Sequence, residues 1–193
     1  VTEEYVKEKV KTKEPVKTKE KSVIEEKTEL EAGETTVKEV TTSAIDTTYD
    51  RFIFTWNKLI PATDGSYLTM EWSTDNGSSW IDNNEYGSSG METDENSVNF
   101  VGGVNQGSIR CSNVTDSDSS EGGCFGYVEL FTPHQNIYPS CYGRSTGAAY
   151  AQQALQLVFC GQTWTQQDVD AVRFLFSSGN ITSGEFKLFG VVK

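Results

Sequence analysis

Between Val6 and Lys21 the chain alternates in character with a strict period of two. Lys7, Lys9, Lys11, Lys13, Lys17, Lys19 and Lys21 hold the odd positions, with Pro15 as the one exception, while Val, Thr and Glu fill the even ones. Successive side chains of an extended chain point to opposite sides, so all seven lysines share one face. A helix would scatter them around its axis. The segment Val10-Lys11-Thr12-Lys13-Glu14 recurs as Val16-Lys17-Thr18-Lys19-Glu20. Pro15 lies between the copies and lacks an N–H donor, which keeps this stretch out of a sheet interior. The pattern predicts an extended arm that orders against a partner. Dense charge with few apolar residues is also the signature of a solvated, disordered tail.

Beyond the lysines, Val23 to Glu31 is less regular and reads as a short helix, ended by Gly33; Thr35 to Thr42 reads as extended. From Tyr49 the pattern changes to short apolar runs divided by turn residues. Arg51–Trp56 is an aromatic strand, and Tyr67–Ser73 follows with Leu68, Met70 and Trp72 on one face. Asp75-Asn76-Gly77 signals a tight turn. Trp80 to Tyr86 reads as extended, 87–97 as loop, and Ser97–Val101 as a short strand. Ser112–Gly123 is a polar acidic loop, Gly126–Thr132 a strand, and Tyr138–Ala149 irregular. Ala151–Cys160 is ambiguous: its first half suits a helical turn, its second half alternates like a strand. Val169–Phe176 and Gly184–Val192 are the last strands, joined through the turn region 177–180. Many short strands and little helix predict an all-β fold: an antiparallel β sandwich, jelly-roll-like, over residues 43–193, with an extended charged N-terminal arm over residues 1–42.

Charge sharpens this division. The 193 residues carry a net charge of −12. The arm, with nine Lys against eleven Glu, is near neutral, so the body carries −10. That acidity argues against nucleic acid, whose phosphates call for clustered cations. No apolar run approaches the roughly 18 residues of a membrane span, so no membrane insertion is expected. No signal peptide is visible, and Val1 suggests a processed or truncated chain. The four cysteines, Cys111, Cys124, Cys141 and Cys160, form no CxxC pair, and the sequence has one histidine, His134. Zinc is therefore not favoured. Two states remain open for the cysteines: disulfides paired sequentially, Cys111 with Cys124 and Cys141 with Cys160, or buried free thiols.

Three stretches carry a resemblance. Asp46–Phe54 followed by Ile60-Pro61-Ala62-Thr63-Asp64, the strand Gly126–Pro133, and the closing pair Ala171–Phe174 and Ser177–Gly190 are similar to virion structural proteins of marine tailed phages. The likeness spans most of 44–193. It implies a jelly-roll-like sandwich in a fibre, decoration or tail protein, and it carries no catalytic residue. The cysteines and the lysine-faced arm lie outside the family pattern.

Candidate chemistry is sparse. His134 sits alone between Pro133 and Gln135. Asp168 and Asp170 share a face at a strand entry and form a possible carboxylate pair. Asp116, Asp118 and Glu121 crowd one loop and are calcium candidates, without EF-hand spacing. Of Trp56, Trp72, Trp80 and Trp164, the parity of Trp72 sends it to the core; Trp80 and Trp164 are the better candidates for stacking a sugar. Sequons at Asn76, Asn113 and Asn180 are about as many as such Ser/Thr content gives by chance. The reading is a non-enzymatic structural protein without cofactor, most simply of a virion, or else of a cell surface. Its expected partners are further copies of itself and other virion proteins, with a host-surface glycan as a further candidate. A carbohydrate-binding module and a strand-donating surface filament subunit are the alternatives.

Overall fold

The computed structural model describes residues 25–30, 39–42, 45–82, 84–131, 133, 136–149 and 153–191. They form twelve strands: β1 Glu25–Leu30, β2 Glu39–Thr42, β3 Arg51–Pro61, β4 Leu68–Ser73, β5 Tyr86–Thr93, β6 Val98–Gln106, β7 Ile109–Arg110, β8 Cys124–Phe131, β9 Ser140–Ala149, β10 Gln153–Thr163, β11 Ala171–Phe176 and β12 Ile181–Val191. The one helical turn among the described residues is the 3₁₀ turn Ser119–Glu121, capped by Asp118. The all-β expectation holds.

The strands form an antiparallel sandwich of unequal sheets. The larger runs β1-β12-β3-β8-β9-β10-β5-β6, the smaller β2-β11-β4-β7. The chain passes between sheets at most connections, while β8, β9 and β10 form a meander within the larger one. β3 alternates as its sequence predicts: Phe52, Phe54 and Trp56 are buried, and Arg51, Ile53 and Thr55 face outward. Across the sandwich, Phe174 of β11 meets Phe54 and Phe186 at ring-centroid distances of 5.2 Å each. Trp72 of β4 meets Tyr86 of β5 edge-on at 5.5 Å. Burying rings of this size dominates the stability of such a core, at about 25 cal/mol per Å² of apolar surface.

One irregularity shapes the far end. β3 bulges around Lys58 and Leu59, where its register with both β12 and β8 shifts. Both flanking chain segments place a glycine of positive φ against Leu59: Gly184 at +136° and Gly123 at +69°. A side chain at either position would run into the Leu59 backbone.

The structure corrects several local expectations. Val23–Glu31 is not a helix where it is described: β1 lies antiparallel on β12, from Glu25 opposite Phe189 to Leu30 opposite Gly184. The edge of β12 supplies hydrogen-bond partners that outweigh the weak helix preference of Glu and Lys. β2 completes the edge of the smaller sheet beside β11. Residues 87–93, expected as loop, belong to β5, and 140–149, expected as irregular, are β9, an interior strand between β8 and β10. Both are rich in Gly and Ser, and their neighbours' side chains fill the space that these small residues leave. Phe159 packs over Gly143, and Leu157 over Gly90.

Candidate functional site

The predicted site residues scatter. The seven lysines from Lys7 to Lys21 lie outside the described residues, as does His134. All four cysteines are free thiols. Cys141 points into the core on β9, while Cys160 on β10 stands opposite outward-facing Tyr142. The two therefore lie on opposite faces of one sheet, and the Cys141–Cys160 bond weighed from the sequence is not formed. Nor is Cys111–Cys124, whose thiols are both buried and free. Burial pushes the Cys124 thiol up to about 12 and raises Cys111 and Cys141 strongly as well.

The carboxylate candidates serve loop structure. Asp170 Oδ1 accepts the backbone N–H of Asn76 at 2.9 Å, which ties it to the β4–β5 connection. In the acidic loop, Asp64 accepts from Ser117 N, Asp116 from Asp118 N and Asp118 from Ser120 N, each at 2.8 Å. Hydrogen bonding from Ser117, by its side chain first and then its backbone N–H, lowers Asp64 below the usual carboxylate range, and Ser120, by its backbone N–H first, lowers Asp118. Glu121 is raised, by desolvation first and then by repulsion from Asp116 and Asp118. Among the described residues, no group of three or more His, Cys, Asp or Glu is placed to hold a metal ion. Of the sequons, Asn113 is buried and donates its amide to Gln156 O. Trp56 and Trp72 are core residues, and Trp80 lies half-buried beneath the Arg173 guanidinium, 4.6 Å from ring to Cζ.

What the fold does assemble is a surface. The register of the larger sheet aligns outward side chains in cross-strand rows. Tyr127 stands beside Arg144, Arg144 beside Val158, Val158 beside Met91, and Met91 beside Phe100. The next row runs Glu129, Tyr142, Cys160, Ser89 and Gly102. Phe100 is 86% exposed, Val104 65% and Val98 59%, so the apolar character grows toward β6. β6 ends the sheet, and among the described residues no strand pairs with its outer side. It carries no charged residue and no proline, two of the features that blunt a sheet edge, and its one irregularity is a register shift against β5 beyond Gly103. The sequence hid this surface because β5, β9 and β10 become neighbours only through the register.

Beside the rows lies a groove of about 410 Å³, lined by Gly87, Ser89, Val104, Cys160, Gln162 and Trp164. Trp164 is 44% exposed, and its ring lies over Gly87: a Cβ there would come within 2.8 Å of Trp164 Cη2. The backbone N–H of Trp164 donates to Glu85 O at 3.0 Å, which fixes the loop that carries the ring. Of the tryptophans singled out from sequence, Trp164 alone presents an open face in a groove. Compared with known protein families, curated proteins and solved structures, the chain matches none.

Proposed function

We propose that this chain is a non-enzymatic structural subunit of an extracellular assembly, in which a sandwich body packs against neighbours and an N-terminal arm connects copies. The observation that carries this reading is the outward row Tyr127, Arg144, Val158, Met91 and Phe100, apolar or aromatic but for Arg144, which ends on an uncharged edge that no strand covers among the described residues. A soluble monomer seldom leaves such a patch beside a bare strand edge unless another chain covers it. The period-two arm supports the same reading, and the sequence likeness to phage virion proteins favours a fibre, decoration or tail component. The test is the mass of the full chain against concentration, by sedimentation velocity and electron microscopy. Concentration-dependent, ordered assemblies are expected. A strict monomer at every concentration would overturn the reading.

A second reading rests on Trp164. An aromatic ring open on one face, beside Ser89 and Gln162, is the arrangement that stacks a sugar ring and hydrogen-bonds its hydroxyls. Glycan-array binding by isolated protein, abolished in Trp164→Ala with the fold retained, would turn the reading toward a carbohydrate-binding module. Binding that survives Trp164→Ala would remove this groove from consideration.

A further inference from the structure

We infer that the arm of one copy adds as a strand to the free edge of β6 in a second copy, so that copies join head to tail. The inference rests on the assembly reading above and names its contact. From Val98 to Gly103 β6 pairs regularly with β5, and no strand among the described residues covers its outer side. Residues 7–21 carry seven Lys and three Glu in a period-two pattern that suits an added strand. The hairpin formed by β5 and β6 carries Glu92, Asp94 and Glu95 and no Lys or Arg; Arg110 of β7 pairs with Glu92 at 3.2 Å and Asp94 accepts from Asn96 and Ser97, so its net acidity, rather than a free carboxylate, complements the lysines of the arm. Placing the valines of the arm on the outer face extends the row that ends at Phe100, while the lysines fall on the side of Glu92.

Geometry makes the contact intermolecular. β1, which the arm precedes, and β6 are opposite ends of the eight-stranded sheet. Strands lie about 4.8 Å apart, so the two edges are about 34 Å from one another. The seven steps from Thr18, where the ladder ends, to Glu25 reach at most about 25 Å. The repeat therefore cannot lie along β6 of its own chain. A contact that leaves from one edge and enters the other is heterologous and produces open chains of copies. Pro15 fits this arrangement. It shares the parity of the lysines, and amides of one parity all face one side of a strand. The ladder to β6 then runs through Val10, Thr12, Glu14, Val16 and Thr18, and the missing N–H of Pro15 faces away.

The test uses the full chain and four variants: deletion of residues 1–22, Phe100→Lys, Thr12→Pro and Lys13→Pro. Phe100 is so exposed that its replacement leaves the fold intact, as circular dichroism will confirm. Deletion and Phe100→Lys are expected to abolish assembly. Thr12→Pro should raise the half-assembly concentration about tenfold, the effect of about 1.4 kcal/mol, whereas Lys13→Pro should stay near wild type. In a Cys160→Ser background, Thr18→Cys and Val98→Cys, both on the outer face, should cross-link between isotopically light and heavy chains. Cross-links confined to single chains would overturn the inference. So would assembly that survives the arm deletion but not Phe100→Lys, which would mean two β6 edges pairing directly. Assembly that needs the arm but ignores Phe100→Lys would place the acceptor elsewhere and leave the assembly reading standing. A wild-type chain that never assembles would end both.

Discussion

Replacing Tyr86 by Phe removes one oxygen atom and tests how the two sheets are joined. β7 is only two residues long and pairs with Thr69 and Met70 of β4. Beyond that pairing, the backbone of Trp72 turns toward a side with no strand. Its carbonyl accepts from Ile81 N at 2.9 Å, and its N–H donates to the Tyr86 hydroxyl at 2.7 Å. Tyr86 belongs to the other sheet, so this side chain stands in for the missing strand. Burial holds its hydroxyl protonated, far above the usual tyrosine range. In Tyr86→Phe the ring and its edge-on contact with Trp72 stay, but a fully buried N–H loses its acceptor. An unsatisfied buried donor costs about 1–3 kcal/mol. For a chain of this size, a loss of about 2 kcal/mol lowers the melting temperature by about 4–8 °C. Thermal and urea unfolding followed by tryptophan fluorescence would measure it, with Tyr142→Phe on the exposed outer face as the control. A Tyr86→Phe variant within about 0.5 kcal/mol of wild type, the range of an ordinary surface change, would refute this account of the join.

Gly143→Ala should destabilise by about 1–3 kcal/mol through overpacking, since the added carbon meets Tyr127 O at 2.6 Å as well as the Phe159 ring; Gly107→Ala, with nothing within 4 Å, should be neutral, and equal effects at both sites would count against the packing argument. In the native protein a maleimide should label Cys160 fast and leave Cys111, Cys124 and Cys141 untouched until unfolding, as peptide mass spectrometry would show. An unfolded thiol ionises near pH 8.5, whereas folded Cys124 keeps its proton to about 12. Its contribution is therefore complete below about pH 8.5 and falls by about 1.4 kcal/mol per pH unit above that, and Cys124→Ala should flatten the alkaline slope of stability measured in urea. Raising NaCl from about 0.05 M to about 0.5 M should weaken arm-dependent assembly, because the screening length shrinks below the spacing of the charges; assembly indifferent to salt would remove the lysines from the contact.

The sequence alone determined the fold class, because a period of two survives wherever one face of a strand is buried and the other is wet. The runs in β3, β4, β11 and β12 show that signal, and Trp72 lies in the core as its parity required. Where the signal came from small residues it failed. β9, with Gly143, Ser145 and Gly147 inward, has almost no apolar face of its own. It is a strand because β8 and β10 pair with it and because a ring from β10 occupies the space above its glycine. The same holds for β5 beside β10 and β6. For Glu25–Leu30, backbone pairing on β12 outweighed local helix preference. The candidate surface was still less legible. Met91, Tyr127 and Val158 stand 9 to 58 positions from Phe100 in the chain, and only the register of four strand pairs makes them neighbours. Sequence period assigns a residue to one of two faces of its strand; which residues of other strands share that face is decided by long-range pairing, which a single chain's local pattern does not encode.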